Sequence, residues 1–125
     1  MTSPNEQTAV DGSIPSAAFD IEVLQKRPDF LRAARGRKVP MPGFVLQIRN
    51  RHDDDTRVRV GFTCSKKVGN AVARNRAKRR LREVARLTLP NFGVAGHDYV
   101  LIGRAGKTAS LPFSQLCADL QKALT

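Results

Sequence analysis

The clearest feature of the chain is a change of hydrophobic period. In "RVRVGFTCS", Arg57 to Ser65, apolar and polar residues alternate: Val58, Val60, Phe62 and Cys64 fall on one side, Arg59, Gly61, Thr63 and Ser65 on the other. That is the period-two signature of a strand. From about Asn70 to Leu89 the spacing turns helical. Ala73, Ala77, Leu81, Val84 and Thr88 share one side with Ala85 nearby, and Asn75, Arg79, Arg82 and Arg86 lie opposite. The apolar stripe is expected to dock on a sheet and the guanidinium groups to project outward, with Pro90 ending the helix.

The remaining segments follow from the same signals. "RPDFLRAARGRK" predicts a short helix, with Pro28 in its first turn, Asp29 complementing its N-terminal dipole and Gly36 stopping it. "KVPMPG" reads as a loop. "FVLQIRNR", Phe44 to Arg51, is strand-like and "HDDDT" a polar turn, so this run and Arg57–Ser65 are expected to pair as an antiparallel hairpin. A third strand is predicted near Tyr99 to Arg104. A last helix is predicted from about Pro112, with Leu116, Leu120 and Leu124 inward and Ser110 as its N-cap. The order helix, strand, strand, helix, strand, helix predicts an α+β fold, a small α/β sandwich with helices packed on a central sheet. Residues 1–17 read as a flexible polar tail and 18–125 as one domain.

Charge changes the picture. The chain carries 22 Lys and Arg against 11 Asp and Glu, a formal net charge of +11. Such an excess opposes a compact state unless a polyanion neutralises it, and nucleic acid or an anionic membrane would serve. No apolar run approaches the roughly 20 residues of a membrane span. "MTSPNEQTAV" has neither the basic start nor the apolar core of a signal peptide. Cys64 and Cys117 are far apart and read as buried free thiols of a cytoplasmic protein. His52 and His97 lack a neighbouring ligand set, so no metal site is expected.

The charge concentrates in "KKVGNAVARNRAKRRLRE", Lys66 to Glu83, where eight of eighteen residues are Lys or Arg and the one acid is last. A solvated helix face would carry acids four residues away as partners, and these are missing. Gly69 and Asn70 open the helix, where free backbone N–H groups can receive a phosphate. Lys66 and Lys67 precede that turn; Arg74, Arg76, Lys78, Arg79, Arg80 and Arg82 follow it. Arginine dominates, which suits forked phosphate contacts and stacking on bases. These residues together predict a nucleic-acid-binding edge.

The same segment strongly resembles the RNR motif of the bacterial ribonuclease P protein subunit, with "ARNRAKR" at Ala73 to Arg79 as its core. The flanking "DF", "FVL", "RVGFTCSKK" and "DYVLIGR" agree in order, so the resemblance covers about residues 22 to 124. It implies a left-handed crossover between parallel strands through this segment, a rare connection. It implies that Lys66, Lys67, Gly69, Asn70, Arg74, Asn75, Arg76, Lys78, Arg79, Arg80 and Arg82 face a catalytic RNA. It also implies a cleft between the first helix and the sheet for the single-stranded 5′ leader of precursor tRNA, involving Phe30, Phe44, Gln47, Ser65, Lys66, Arg74 and Asn75. Two places differ from the common family pattern: Ala34 and Gln47 stand where the family often has aromatics.

The resemblance further implies that the RNA and its Mg²⁺ ions perform the hydrolysis, with no cofactor held tightly by the protein. The residues agree in offering no paired acid and base and no nucleophile with a base. Asp53, Asp54 and Asp55 read as solvated turn chemistry. Three other readings remain: a different RNA-binding protein without a leader cleft, a DNA-binding helix module, or a freestanding nuclease. A strand feeds the basic helix, whereas a helix-turn-helix would place a helix there. The resemblance implies the catalytic RNA and precursor tRNA as partners, with neither membrane nor DNA expected.

Overall fold

A computed structural model describes residues 21–125; the tail expected over residues 1–17 lies outside them. The elements in order are β1 (Ile21–Val23), α1 (Arg27–Ala34), β2 (Arg37–Met41), β3 (Phe44–Asn50), β4 (Val58–Cys64), α2 (Ala71–Phe92), β5 (His97–Gly103), α3 (Lys107–Ser110) and α4 (Phe113–Leu124). A 3₁₀ turn, Lys66–Val68, links β4 to α2. The strands form one sheet in the order β1-β4-β5-β3-β2. The α+β class and the layered plan hold, with three short elements added.

The predicted hairpin of β3 and β4 does not form. β5 lies between them, antiparallel to β3 and parallel to β4. The reason is in the burial of β5: Asp98 to Leu101 are buried without interruption, as a central strand covered on both faces requires. β3 and β4 keep one more exposed face each and flank it. The β4–α2–β5 path is thus a parallel βαβ unit.

Two strands escaped the sequence reading. β1 has three residues, all exposed, and pairs in parallel with Val58 to Val60, so no local alternation marks it. β2 runs through part of the predicted loop. Its Pro40 pairs with Val45 at the edge of the sheet, the place where a strand tolerates a missing N–H.

The main core lies between the sheet and α2 and α4. Phe44, Leu46, Leu81, Tyr99, Leu101 and Leu116 are among its fully buried side chains. A smaller cluster of Leu24, Ala33 and Val100, with Phe30 and Ile102 against it, seats α1 on the other face. Helix α2 buries Ala77, Leu81, Val84, Ala85, Thr88 and Leu89, close to the predicted stripe. It does not stop at Pro90 but runs to Phe92, where Gly93 N–H donates to the Leu89 carbonyl at 2.7 Å. One missing donor in the last turn is tolerated because the turn is closed by that later bond. Ser110 does not cap α4; it ends α3, and α4 starts after Pro112 with no side-chain cap. Both cysteines are free and only partly buried, with burial pushing each thiol's pKa up.

A buried ion cluster ties three strands together. Asp98 on β5 has no solvent exposure. Arg59 of β4 binds it through Nε and Nη2, each at 2.8 Å. Arg51 donates to it at 2.7 Å, and Arg49 of β3 at 3.3 Å. Arg51 also donates to the carbonyls of His97, Asp55 and Arg57, and to Asp53 Oδ2. Burial pushes the Asp98 carboxyl's pKa up, but the bonds from Arg59 and Arg51 outweigh it and hold the group below the ordinary value.

Candidate nucleic-acid interface

The turn into α2 sets the basic edge. Gly69 has φ +134° and ψ −150°, a conformation open in practice only to glycine. It redirects the chain from the 3₁₀ turn into the helix. Ser65 Oγ accepts from Lys67 N–H at 3.2 Å, and Asn70 Oδ1 accepts from Ala73 N–H at 2.9 Å, so both turns are capped by side chains. Lys66 and Lys67 are left exposed at this corner, beside the positive end of a 22-residue helix.

Along α2, Arg74, Asn75, Arg76, Arg79 and Arg82 are exposed and Lys78 is half-buried. Arg76 and Arg79 make no ion pair or hydrogen bond among the described residues, so their forks are available. Arg82 lies 5.7 Å over the Phe62 ring. Arg86 is occupied by Glu83 at 2.8 Å.

Arg80 departs from expectation. Its Nη1 donates to the carbonyls of Thr108, Ala109 and Leu111 at 2.8, 2.9 and 2.9 Å, and its guanidinium sits 6.0 Å over Phe113. It leaves α2 on the flank facing α3 and α4, so it pins the link between those helices. Those carbonyls occupy its Nη1, which leaves less of the half-buried guanidinium open to RNA than its exposed neighbours offer.

On the other face of the sheet, a cleft of about 450 Å³ opens between α1 and the strands. Phe30, Leu31 and Ala34 form its helical wall, with Gln47, Val100 and Ile102 on its floor. Thr63 lines it as well, and also lines a smaller depression shared with Arg74, Asn75 and Lys78. The cleft therefore opens at one end onto the basic start of α2.

The expected cleft residues separate into two groups. Phe30 is half-buried and does two jobs: its ring covers Gly61, where a Cβ would sit 2.6 Å from the ring, and it lines the cleft. Gln47 presents an amide on the floor at 7% exposure. Arg74 and Asn75 stand at the basic end, and Ser65 and Lys66 border that corner. Phe44, in contrast, cannot stack on a ligand. It is fully buried in the main core on the opposite face, because odd and even residues of β3 point to opposite sides. Sequence reasoning missed Thr63, Val100 and Ile102. Their signal was the pairing register, in which Thr63 opposes Ile102 and Gly61 opposes Val100.

Among the described residues, no three His, Cys, Asp or Glu side chains gather as a metal site. Asp53 and Asp55 are engaged by Arg51 and Arg57. No described helix is long and apolar enough to cross a membrane. What the surface offers is a line of cations joined to a partly apolar cleft, which suits a phosphodiester chain with unstacked bases.

Comparison with known proteins gives the same direction. Residues 20–125 match the family model described as Ribonuclease P. The chain is 60% identical over 109 residues to the ribonuclease P protein component of Ruegeria pomeroyi, covering 86% of this chain and 87% of the relative. It is 52% identical to that of Caulobacter vibrioides, over 82% of this chain and 68% of the relative. Among solved structures, the RNase P protein of Staphylococcus aureus superposes with a TM-score of 0.65 at 31% identity, over 82% of this chain and 91% of that one. The protein from Thermotoga maritima gives 0.65 at 30%, over 82% and 94%. The arginine-edged helix after a parallel strand, the cleft under α1 and these likenesses together place the chain in the bacterial ribonuclease P protein family.

Proposed function

We propose that the chain is the protein subunit of ribonuclease P, binding the catalytic RNA along α2 and the 5′ leader of precursor tRNA in the α1 cleft. The observation that carries this is the continuity of the two surfaces: Thr63 lines both the cleft and the depression formed by Arg74, Asn75 and Lys78. A strand leaving the cleft meets the same cations that face the larger RNA. The RNA and its Mg²⁺ ions carry out hydrolysis in the cytoplasm. The protein neutralises phosphates where two polyanions meet and positions the leader for cleavage. Its partners are the two RNAs; it needs neither membrane nor DNA.

With Phe44 buried and Ala34 small, stacking in the cleft rests on Phe30, and Gln47 supplies hydrogen bonds in place of a ring. The catalytic-RNA surface has a direct test. Arg76→Ala with Arg79→Ala should leave the folding stability within about 1 kcal/mol of wild type, because both side chains are exposed. Affinity for the catalytic RNA should fall. The slope of log affinity against log salt should flatten by roughly 0.7–0.9 per lost phosphate contact. An unchanged slope in a folded variant would remove α2 from the RNA interface.

A further inference from the structure

The cleft has a second basic bank, opposite the α2 corner. Residues 26 to 38 hold Lys26, Arg27, Arg32, Arg35, Arg37 and Lys38, all exposed, with Asp29 as the only acid among them. Arg32 is paired with Asp29 at 3.2 Å. Among the described residues, Arg27, Arg35 and Lys38 have no ion-pair partner.

Arg27 and Lys38 border the cleft, and Arg35 continues the end of its helical wall. Arg27 lines it directly, beside Phe30, Leu31 and Ala34. Arg35 follows the last residue of α1, one position after Ala34. It lies eight residues beyond Arg27, about 12 Å along the helix, which leaves room for each to hold its own phosphate. Lys38 is fixed by register. It opposes Gln47, which opposes Val100, and directly opposed residues share a face of a sheet. Gln47 and Val100 are on the cleft floor, so Lys38 stands at its β2 edge.

We infer that Arg27, Arg35 and Lys38 form a phosphate rail on the α1–β2 bank, gripping the backbone of the precursor leader while its bases lie over Phe30 and the floor. This rests on the reading of the cleft as the leader site. The rail faces the leader and not the catalytic RNA, because α1 packs on the sheet face opposite α2. Cations along both banks also explain how a cleft with few aromatic platforms can hold a single strand.

The test is the triple variant Arg27→Gln, Arg35→Gln, Lys38→Gln, reconstituted with the catalytic RNA and compared with wild type over a salt series. Binding of precursor tRNA should weaken, with its log–log salt slope lower by about 2 for three contacts at roughly 0.7 each on a single strand. Mature tRNA, and precursors with a leader of one or two nucleotides, should bind as before. Binding of the protein to the catalytic RNA should not change. The charge-preserving variant Arg27→Lys, Arg35→Lys should keep the full slope, which separates lost charge from altered folding. An unchanged slope in the triple variant, while Arg74→Gln with Lys78→Gln still weakens leader-dependent binding, would overturn the rail and leave the cleft reading intact. Loss of catalytic-RNA binding in the triple variant would overturn it too, by placing this bank against the larger RNA. If neither variant altered leader-dependent binding, the cleft reading itself would fall, and the rail with it.

Discussion

Asp98→Asn is expected to cost about 3–5 kcal/mol of folding stability, the usual penalty for removing one partner of a buried charge cluster. The carboxylate has no solvent exposure and answers Arg49, Arg51 and Arg59 at once. An amide keeps the shape but removes the one carboxylate that all three guanidinium groups share; only the outer acids remain, Asp53 and Asp55 beside Arg51 and Asp29 beside Arg59. Arg51 still has three backbone carbonyls to hold it, so the repulsion cannot relax by its leaving. The melting temperature should fall on the order of 10 °C or more. The pH dependence has a definite sign. The folded carboxyl titrates below its ordinary value, so its stabilisation is present above about pH 4 and is lost as pH falls further. Wild type should therefore lose this stability in acid, and the variant should lack that part of the acid limb. A variant as stable as wild type at pH 7 would mean the cluster is not formed.

Leu81→Ala should cost about 2–5 kcal/mol through lost burial and a residual cavity. Leu81 is fully buried beneath α2, on the side facing away from Arg79. In urea the midpoint should drop with little change in slope. Affinity for RNA, corrected for the unfolded fraction, should stay near wild type. The contrast with Arg76→Ala and Arg79→Ala is the point of the experiment: one face of the helix carries stability and the other carries binding. Wild-type stability for Leu81→Ala would rotate the helix away from the orientation described.

Much of this division was legible from period alone. The helical spacing after Asn70 places Leu81, Val84 and Thr88 inward and Arg79 outward, as found. The alternation of Val58, Val60 and Phe62 places a strand where β4 lies. Pairing was not legible, because period two fixes a strand's faces but not its neighbours. Hence the sequence alone pairs β3 and β4 as a hairpin, although the buried run of β5 belongs between them. The side taken by Phe44 is hidden for a related reason: a phenylalanine opening a strand reads the same whether it faces a cleft or a core. Arg80 shows a further limit. Its charge places it with its neighbours in sequence, while the carbonyls that bind it come from residues about thirty positions away. The residues that build the second bank of the cleft are plain in composition, but only the β2–β3 register brings Lys38 to the cleft's edge.

In the proposed role the protein assists an RNA catalyst and does not cut RNA by itself. The most direct test of this role is cleavage of a precursor tRNA in the presence of Mg²⁺, with protein alone, bacterial ribonuclease P RNA alone, and both together. No product is expected with protein alone, and faster release of the 5′ leader with both than with RNA alone. Leader removal by the protein without the RNA, or no gain when the two are combined, would contradict it.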